Sequence, residues 1–455
     1  MKNISPDIFR AYDIRGIVDK DFDPAWVEVF GRACGAYFLK NGFRRAVVGH
    51  DARLSSPVYQ ERLAKGLAET GVDVVTVGMV STPVCYFACK HLGTDAGVMI
   101  TASHNPPEFN GFKVIAGPAT IYGDEIQELY RIMAAGEFPS GRGLVSVHDI
   151  APAYVEALSS QTRLSRPLKV VVDGGNGAGG PVTVDVLRAI GAEVIDIFCE
   201  PDGTFPNHHP DPVVEKYMAS LIERVKAEGA DCGIGLDGDG DRLGVVDETG
   251  KLMFGDQLLA IYAREVLKDH PGATVIGEVK CSHLTYKDIA AHGGNPVMGA
   301  TGHSLIKARM LETGAKLAGE MSGHMFFADR YFGYDDATYA AQRFLEVLDR
   351  HPERKASGLL ADWPRTYNTP EIRFDCPEKI KFKVVERARD HFRNGYDMID
   401  VDGARIVFPD GWGLIRASNT QPVLVLRFEA ESPERLKEIR SVIETPLAAW
   451  IAEMS

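Results

Sequence analysis

The chain has 455 residues, with 50 Lys and Arg against 63 Asp and Glu, a net charge of −13, 45% hydrophobic and 25% charged residues. That length suggests about three or four domains with ample material for buried cores, and the composition excludes collagen-like, disordered and small disulfide-rich classes. The acidic balance argues against general nucleic-acid binding, which needs a basic footprint, and leaves any anionic substrate to a local cluster of Arg and Lys.

The opening residues, MKNISPDIFRAYDIRG, lack the apolar stretch of a signal peptide. No apolar run approaches the ~18–20 residues of a membrane span. A cytoplasmic location without a membrane partner is therefore expected. The seven cysteines (34, 85, 89, 199, 232, 281 and 376) are odd in number and scattered, and no C-x-x-C pair suggests zinc. Cys85 and Cys89, at helical spacing, read as buried apolar filler.

Along the chain, short β-branched runs alternate with longer helical patterns. The runs are RAVVGHD (45–51), VDVVTVG (72–78), AGVMITAS (96–103), LKVVVDGG (168–175), AEVIDIF (192–198) and CGIGLDGD (232–239). SPVYQERLAKGLAETG (56–71) is a typical helical stretch between them. This is the βαβ grammar of parallel sheets, in which loops at the C-terminal ends of strands carry ligand chemistry. AVVGHDAR (46–53), KVVVDGGNGAGG (169–180) and ATVIGEVKCSH (273–283) echo one another, each a strand running into a Gly-containing turn with an acidic residue, and they suggest three α/β units of similar construction. Loop-like stretches near 140–150, 247–256 and 352–370 are candidate boundaries. Beyond them, strand-like EIRFDC (371–376), RIVFPDG (405–411) and VLVLRFEA (423–430) frame helical patterns at 378–394 and 432–450, the pattern of a small α+β domain.

Four constellations could carry chemistry. In GVMITASHNPPEFNGFK (97–113) a strand ends at Ile100 and releases Ser103, with small residues before it and a stiff double Pro after it. A serine at such a strand tip suits a nucleophile or phosphoryl carrier; it also suits a local turn cap. Lys113 follows after a Gly turn. In IGLDGDGDRLGVV (234–246), Asp237, Asp239 and Asp241 alternate with glycines. Carboxylates this close repel unless a cation neutralises them, and hard oxygen ligands suit Mg²⁺. The same stretch mimics an EF-hand, with Glu248 at position 12, but Arg242 stands where the loop needs Gly and the flanks are strand-like. VVVDGGNGAGG likewise mimics a dinucleotide fingerprint through Gly175, Gly177 and Gly180, without dehydrogenase partners elsewhere. In LAGEMSGHMFF (317–327), Glu320 and Ser322 can grip neighbouring hydroxyls of a polyol, and His324 is either a ligand or a core histidine. In GWGLIRASNTQPVLVLRFEA (411–430), Arg416, Ser418, Asn419 and Thr420 offer a guanidinium fork, two hydroxyls and an amide, a set that suits a phosphate. Arg427 on the next strand either supports that loop or binds.

Taken together, TASHNP (101–106), DGDGDR (237–242), GEMSGH (319–324) and RASNTQP (416–422) resemble, in order and over nearly the whole chain, the phosphoserine, metal, sugar and phosphate loops of the α-D-phosphohexomutase family. FRAYDIRG (9–16), TGHSLIK (301–307) and Met321 fit its bacterial phosphomannomutase/phosphoglucomutase branch. The resemblance implies three related mixed α/β domains and a C-terminal α+β, TATA-binding-protein-like domain around a central cleft, divided at 1–148, 149–250, 251–364 and 365–455. It implies reversible interconversion of hexose 1-phosphate and 6-phosphate through phosphorylated Ser103 and a 1,6-bisphosphosugar, an intramolecular phosphotransferase activity. One Mg²⁺ would sit on Asp237, Asp239, Asp241 and the Ser103 oxygen, with glucose 1,6-bisphosphate as activator.

By the same resemblance, Arg15, Lys113 and Arg242 line the reacting end, with His303 and Tyr12 nearby, and either Lys113 or His303 shuttles the proton. Lys280 reaches the cleft, Glu320 and Ser322 hold the sugar's O3 and O4 with His324 beside them, and Arg416, Ser418, Asn419 and Thr420 hold the distal phosphate. The partners are hexose phosphates, and the chain is a monomer or weak dimer. Competing readings are a phosphoglucosamine mutase of the same family, a metal-dependent sugar phosphatase using Asp237 as nucleophile, and a non-catalytic sugar-phosphate or Ca²⁺-binding protein.

Overall fold

The computed structural model describes residues 5–418 and 422–454. Valine and isoleucine runs form the central strands of three sheets. Val47 and Val48, then Val170, Val171 and Val172, then Val275 and Ile276, are all wholly buried. Covered on both faces, such strands need no polar alternation.

Each of these central strands has a parallel partner on either side. In the first sheet Arg45–His50 lies between Asp73–Met79 and Ala96–Ile100, and the latter pairs antiparallel with Phe109–Ala116. The second sheet places Lys169–Asp173 between Glu193–Ile197 and Cys232–Leu236, and Cys232–Leu236 pairs antiparallel with Leu243–Asp247. In the third, Thr274–Glu278 lies between Asn295–Gly299 and Leu317–Gly319, which pairs antiparallel with Met325–Phe327. The strand order is the same in all three, and the three sequence echoes fall on the three central strands.

All three stretches that look like loops in sequence contain strands: within 352–370, Tyr367–Asn368 pairs antiparallel with Val423–Ala430. Val145–Val147 pairs parallel with Asp73–Met79 and ends the first sheet. Leu252–Met253 pairs antiparallel with Leu243–Asp247, so the second sheet runs past residue 250. Edge strands of two or three residues are too short for a period-2 pattern to show.

Helices cover both faces. Pro24–Lys40 starts on an N-cap Asp23 that accepts from Trp26 N, with Pro at its first position. Its apolar side packs, with Ser56–Glu69 and Asp124–Ala135, on the outer face of the first sheet around Trp26, Phe30, Leu63, Phe112 and Leu129. The inner faces of the first three units share one continuous core, in which Cys85, Cys89, Tyr154, Leu187, Leu258 and Phe344 all take part. All seven cysteines are buried and free, as filler residues would be. The last unit has its own core: an antiparallel sheet centred on Gly411–Ala417 and Val423–Ala430 packs against Lys381–Arg393 and Pro433–Met454 through Leu426, Phe428, Val384, Phe392, Ile443 and Trp450. Among the described residues, no helix is long and apolar enough to cross a membrane.

Phe112 sits within ring contact of Phe22, Trp26, Phe30 and Tyr59, the closest centroid at 4.7 Å. Phe112→Ala is expected to cost about 3–5 kcal/mol in urea denaturation of the first unit; a cost under about 1 kcal/mol would contradict this packing.

Candidate active site

Because the three sheets share one order, their parallel-to-antiparallel returns are equivalent. They are residues 101–108, 237–242 and 320–324, and they hold the serine, the aspartates and Glu320. Ser103 is buried and has φ 50°, a left-handed conformation uncommon outside glycine. Its N–H donates to Thr101 Oγ1 at 2.8 Å, and its hydroxyl donates to Asp237 Oδ2 at 2.6 Å and lies 3.1 Å from His104 Nδ1. Gly238 allows this approach, since a Cβ there would come 2.5 Å from the Ser103 carbonyl oxygen.

Asp237, Asp239 and Asp241 are wholly buried, and one oxygen from each lies within 4.8 Å of the others. Asp237 Oδ1 accepts from the backbone N–H groups of Asp241 and Arg242, both at 3.1 Å. Asp239 Oδ2 accepts from Thr82 Oγ1 and from Lys113 Nζ at 2.5 and 2.7 Å, and Lys113 also bonds Asp241. Burial, and then the two neighbouring carboxylates, raise the Asp237 pKa well above its ordinary value. Burial acts the same way on Asp239, but Lys113 overrides it and holds that carboxyl far down. Lys113 is desolvated yet kept protonated by Asp239 and Asp241. Asp239 Oδ1 and Asp241 Oδ1 remain buried without a hydrogen bond. Three close carboxylates with two orphaned oxygens and one lysine fit a hard divalent cation.

Beside the trio, Arg242 donates through Nε to His324 Nε2 at 3.0 Å. That nitrogen is therefore the acceptor, and the ring proton sits on Nδ1, facing Asp335 Oδ2 at 3.1 Å and Asp241 Oδ1 at 3.6 Å. Asp241, His324 and Asp335 also have metal-ligand spacing, but a protonated Nδ1 cannot ligate, and Lys307 Nζ already bonds Asp335 at 3.0 Å. His303 stacks on His324 at 5.6 Å. Burial, then Lys307, push the His303 pKa well below the ordinary histidine value.

Tyr12 meets His303 edge-on at 5.7 Å. Burial raises its hydroxyl pKa, and the nearest charges it feels are Arg416, Asp13, Glu320 and Arg15, so residues of the first, third and last units converge on it. Arg15 Nη1 donates to Asn105 Oδ1 at 2.7 Å and Nη2 to Asp13 at 2.5 Å. Glu320 Oε1 accepts from Gly302 N at 2.6 Å, and burial raises its pKa. Half-buried Ser322 lies 3.5 Å from Glu320 Oε2. Buried Lys280 faces Glu371 at 3.2 Å and Glu278 at 3.7 Å. Arg416 Nε donates to Asp402 Oδ2 at 3.0 Å, while its Nη2 is buried and has no hydrogen bond. Asp402 also accepts from Thr301 N at 3.0 Å, tying the third and last units together. Ser418 is buried, directly after the strand Gly411–Ala417. Asn419 and Thr420 lie outside the described residues.

The structure thus brings together Ser103, Asp237, Asp239, Asp241, Lys113, Arg242 and His324 in one contact network, with Tyr12, Arg15, His303 and Glu320 adjoining it. Sequence reasoning missed Thr82, Asn105, Asp402, Lys307 and Asp335. Asn105 lay within a quoted motif, and Lys307 in TGHSLIK; Asp335 offered only a charged pair, Asp335-Asp336, after Gly333. Asp335→Asn would leave the Lys307 ammonium buried without its counter-charge, at a cost of about 3–5 kcal/mol. Lys307→Met in the same chain is expected to restore part of that loss, as a double-mutant cycle of denaturation midpoints would register; strictly additive losses would contradict the pairing.

The sequence matches the family descriptions "Phosphoglucomutase/phosphomannomutase" alpha/beta/alpha domain I over residues 6–140, domain II over 152–250, domain III over 254–367 and the C-terminal domain over 371–445. It is 45% identical over 443 residues to a phosphomannomutase/phosphoglucomutase of Pseudomonas aeruginosa, covering 97% of this chain and 96% of that one. It is 43% identical over 460 residues to a phosphoglucomutase of Neisseria gonorrhoeae, covering 99% and 100%. A solved phosphoglucomutase/phosphomannomutase family protein from Burkholderia thailandensis superposes with a TM-score of 0.93 at 44% identity, over 98% of each chain. A putative phosphomannomutase of Thermus thermophilus, at 23% identity and a TM-score of 0.83, shares the fold. With four matching domains in order and relatives covered almost end to end, the chain belongs to the phosphoglucomutase/phosphomannomutase family.

Proposed function

We propose that the chain is a phosphohexomutase that reversibly interconverts the 1-phosphates and 6-phosphates of mannose and glucose through phosphorylated Ser103 and a 1,6-bisphosphosugar. The observation that carries this reading is the Ser103 hydroxyl, 2.6 Å from Asp237 within a buried carboxylate trio. The names of the relatives at 43–45% identity support the sugars. The site residues, their roles and the three domain boundaries, near 148 and 364 and, since the second sheet takes in Leu252–Met253, just past that strand and not at 250, belong to the same proposal.

In the forward half-reaction a sugar hydroxyl attacks the phosphorus on Ser103, the P–Oγ bond breaks, and the hydroxyl proton leaves to a base. The reverse half-reaction returns the other phosphate to Ser103. Asp237, Asp239 and Asp241 would hold Mg²⁺, which when bound offsets the charge that develops on the transferring group. Arg15, Arg242 and Lys113 orient the reacting phosphate, and His324 orients Arg242 in turn. His303 is the proton acceptor: Lys113 is spent on Asp239 and Asp241, whereas the buried imidazole is neutral. Glu320 and Ser322 hold O3 and O4, which glucose and mannose share, so C2 epimers bind alike. Tyr12 stands beside His303, while Lys280, Arg416 and Ser418, with Asn419 and Thr420, form the distal phosphate grip, and the unspent Nη2 of Arg416 supports its part in this.

Ser103→Ala is expected to abolish mutase turnover, and the unsubstituted protein incubated with glucose 1,6-bisphosphate should gain one phosphate, about 80 Da by intact mass. A variant that keeps wild-type turnover would end the reading. The pH profile tests the base. A depressed imidazole pKa means that the neutral, proton-accepting form is lost only as pH falls through that lowered value. The acid limb of kcat should therefore lie below about pH 6.5, and His303→Gln should lower kcat by about 10²–10⁴. An acid limb centred well above that pH would remove His303 from the role.

A further inference from the structure

Arg53 has no part in the site as described, yet it is wholly buried directly after the central strand of the first unit. A guanidinium has five N–H donors, and all five are matched. Nε donates to Asp51 Oδ2 at 3.1 Å. Nη1 donates to the carbonyls of Pro106 and Phe109 at 2.6 and 2.9 Å, and Nη2 to those of Ser103 and Asn105 at 2.9 and 2.5 Å. Four of the five acceptors are thus backbone of the segment that carries Ser103. With every donor used and no exposure, Arg53 has nothing to offer a substrate phosphate.

The second unit closes over this arrangement. The Phe205 ring lies 5.3 Å from the guanidinium carbon. Gly203 lies so close that a Cβ there would come 2.4 Å from the Ala52 carbonyl oxygen. Asp51, the equivalent in the first unit of Asp173 and Glu278 at the ends of the other central strands, fixes the fork: its Oδ1 accepts from Arg53 N at 3.0 Å and from Ser56 Oγ at 2.8 Å.

Ser103 itself needs holding. A non-glycine residue at φ 50° persists only where its surroundings over-determine it. Thr101 holds its N–H, and Arg53 holds its carbonyl and three carbonyls beyond it. We propose that Arg53 is a positioning residue for phosphoryl transfer, a clamp that locks residues 103–109 so that the Ser103 oxygen faces the aspartate trio. The inference rests on the reading of Ser103 as phosphoryl carrier. A lysine ammonium, a compact point charge with three donors, cannot span these acceptors.

The test is Arg53→Lys, assayed per folded protein with glucose 1-phosphate and Mg²⁺. Expected is a fall in kcat of about a hundredfold, the scale of a 1 Å misplacement, with KM changed by no more than about threefold. Phosphate uptake by the dephosphorylated variant from glucose 1,6-bisphosphate, followed by intact mass, should slow by the same factor. A purely structural arginine would lower the folded fraction and the melting midpoint but leave kcat per folded molecule unchanged, and that result overturns the clamp. Ser103→Ala, run in parallel, separates the two claims: if it retains turnover, the carrier reading fails; if it is dead while Arg53→Lys is as fast as the original, only the clamp fails. Should Arg53→Lys not fold, Phe205→Leu decides. It keeps the apolar cover and removes the ring face, and a kcat loss of about threefold or more at unchanged KM supports the clamp. No loss overturns it.

Discussion

Everything at the centre of this molecule follows from negative charge held out of water. Asp237, Asp239, Asp241 and Asp335 are all wholly buried, and two like charges 4 Å apart repel by about 4 kcal/mol at an effective dielectric constant near 20. The neighbours are arranged around that repulsion. Lys113 bridges Asp239 and Asp241, Lys307 and the His324 Nδ1 proton face Asp335, and Asp237 takes two backbone N–H groups and the Ser103 hydroxyl. A phosphate on Ser103 would add about −1.5 to −2 charges at the most crowded point. A divalent ion held by the trio, with the guanidinium groups of Arg15 and Arg242, would offset that addition. The chain as a whole is acidic, at −13, so an anion here depends on the few cations gathered beside the trio, Arg15, Lys113 and Arg242.

The sequence made some of this legible for physical reasons. Glycines spaced through DGDGD and MSG mark tight returns between strands, and carboxylates packed at every second position are costly enough to signal a cation. The β-branched runs marked the central strands because both faces of those strands are buried. Other features could not be read because they exist only after folding. Arg53 grips a carbonyl 50 residues away and Arg242 a histidine 82 residues away. On paper Arg53 is one more arginine before a helix, and Asp335 one of two adjacent acids. His324 looked like a ligand or a core histidine; it is buried, accepts from Arg242, and faces Asp335, Asp241 and the ring of His303.

The last unit is attached by different chemistry. Arg405 Nη1 donates to the carbonyls of Val279 and Cys281 at 2.6 and 2.8 Å, and Arg427 Nη1 to that of Lys280 at 2.6 Å. Arg405 lies over the Trp412 ring at 3.7 Å and forms no ion pair with a carboxylate among the described residues. Charged donors on carbonyls contribute about 1.5–3 kcal/mol each, and ion pairs cross the same boundary beside them, Arg427 with Asp256 at 3.6 Å and Lys280 with Glu371 at 3.2 Å. The backbone of Lys280 is therefore fixed from the last unit, while its ammonium turns to Glu278 and Glu371. The third and last units are thus held in register by main-chain carbonyls as well as by ion pairs.

Repetition of one strand order explains how a single cleft acquired these parts. A return from a parallel strand to an antiparallel neighbour delivers a short loop at the C-terminal edge of a sheet, the edge where ligands collect. Three units built alike deliver three such loops, and a few residues in each are enough to set them apart. The first carries a hydroxyl at 103, the second carboxylates at 237–241, and the third a carboxylate with a hydroxyl at 320–322. The ends of the central strands repeat as well. Asp51 orients Arg53, Asp173 accepts from Gly175 N and meets His208, and Glu278 accepts from Lys280 N. Each acidic residue stiffens the turn after its own strand, which sits next to the returning loop. A reaction that presents both ends of one sugar to one serine demands a rigid reacting centre more than a tailored pocket. Three copies of a stiffened strand edge provide that rigidity, and in the proposed mechanism the grip on the far phosphate falls to the unrelated fourth unit.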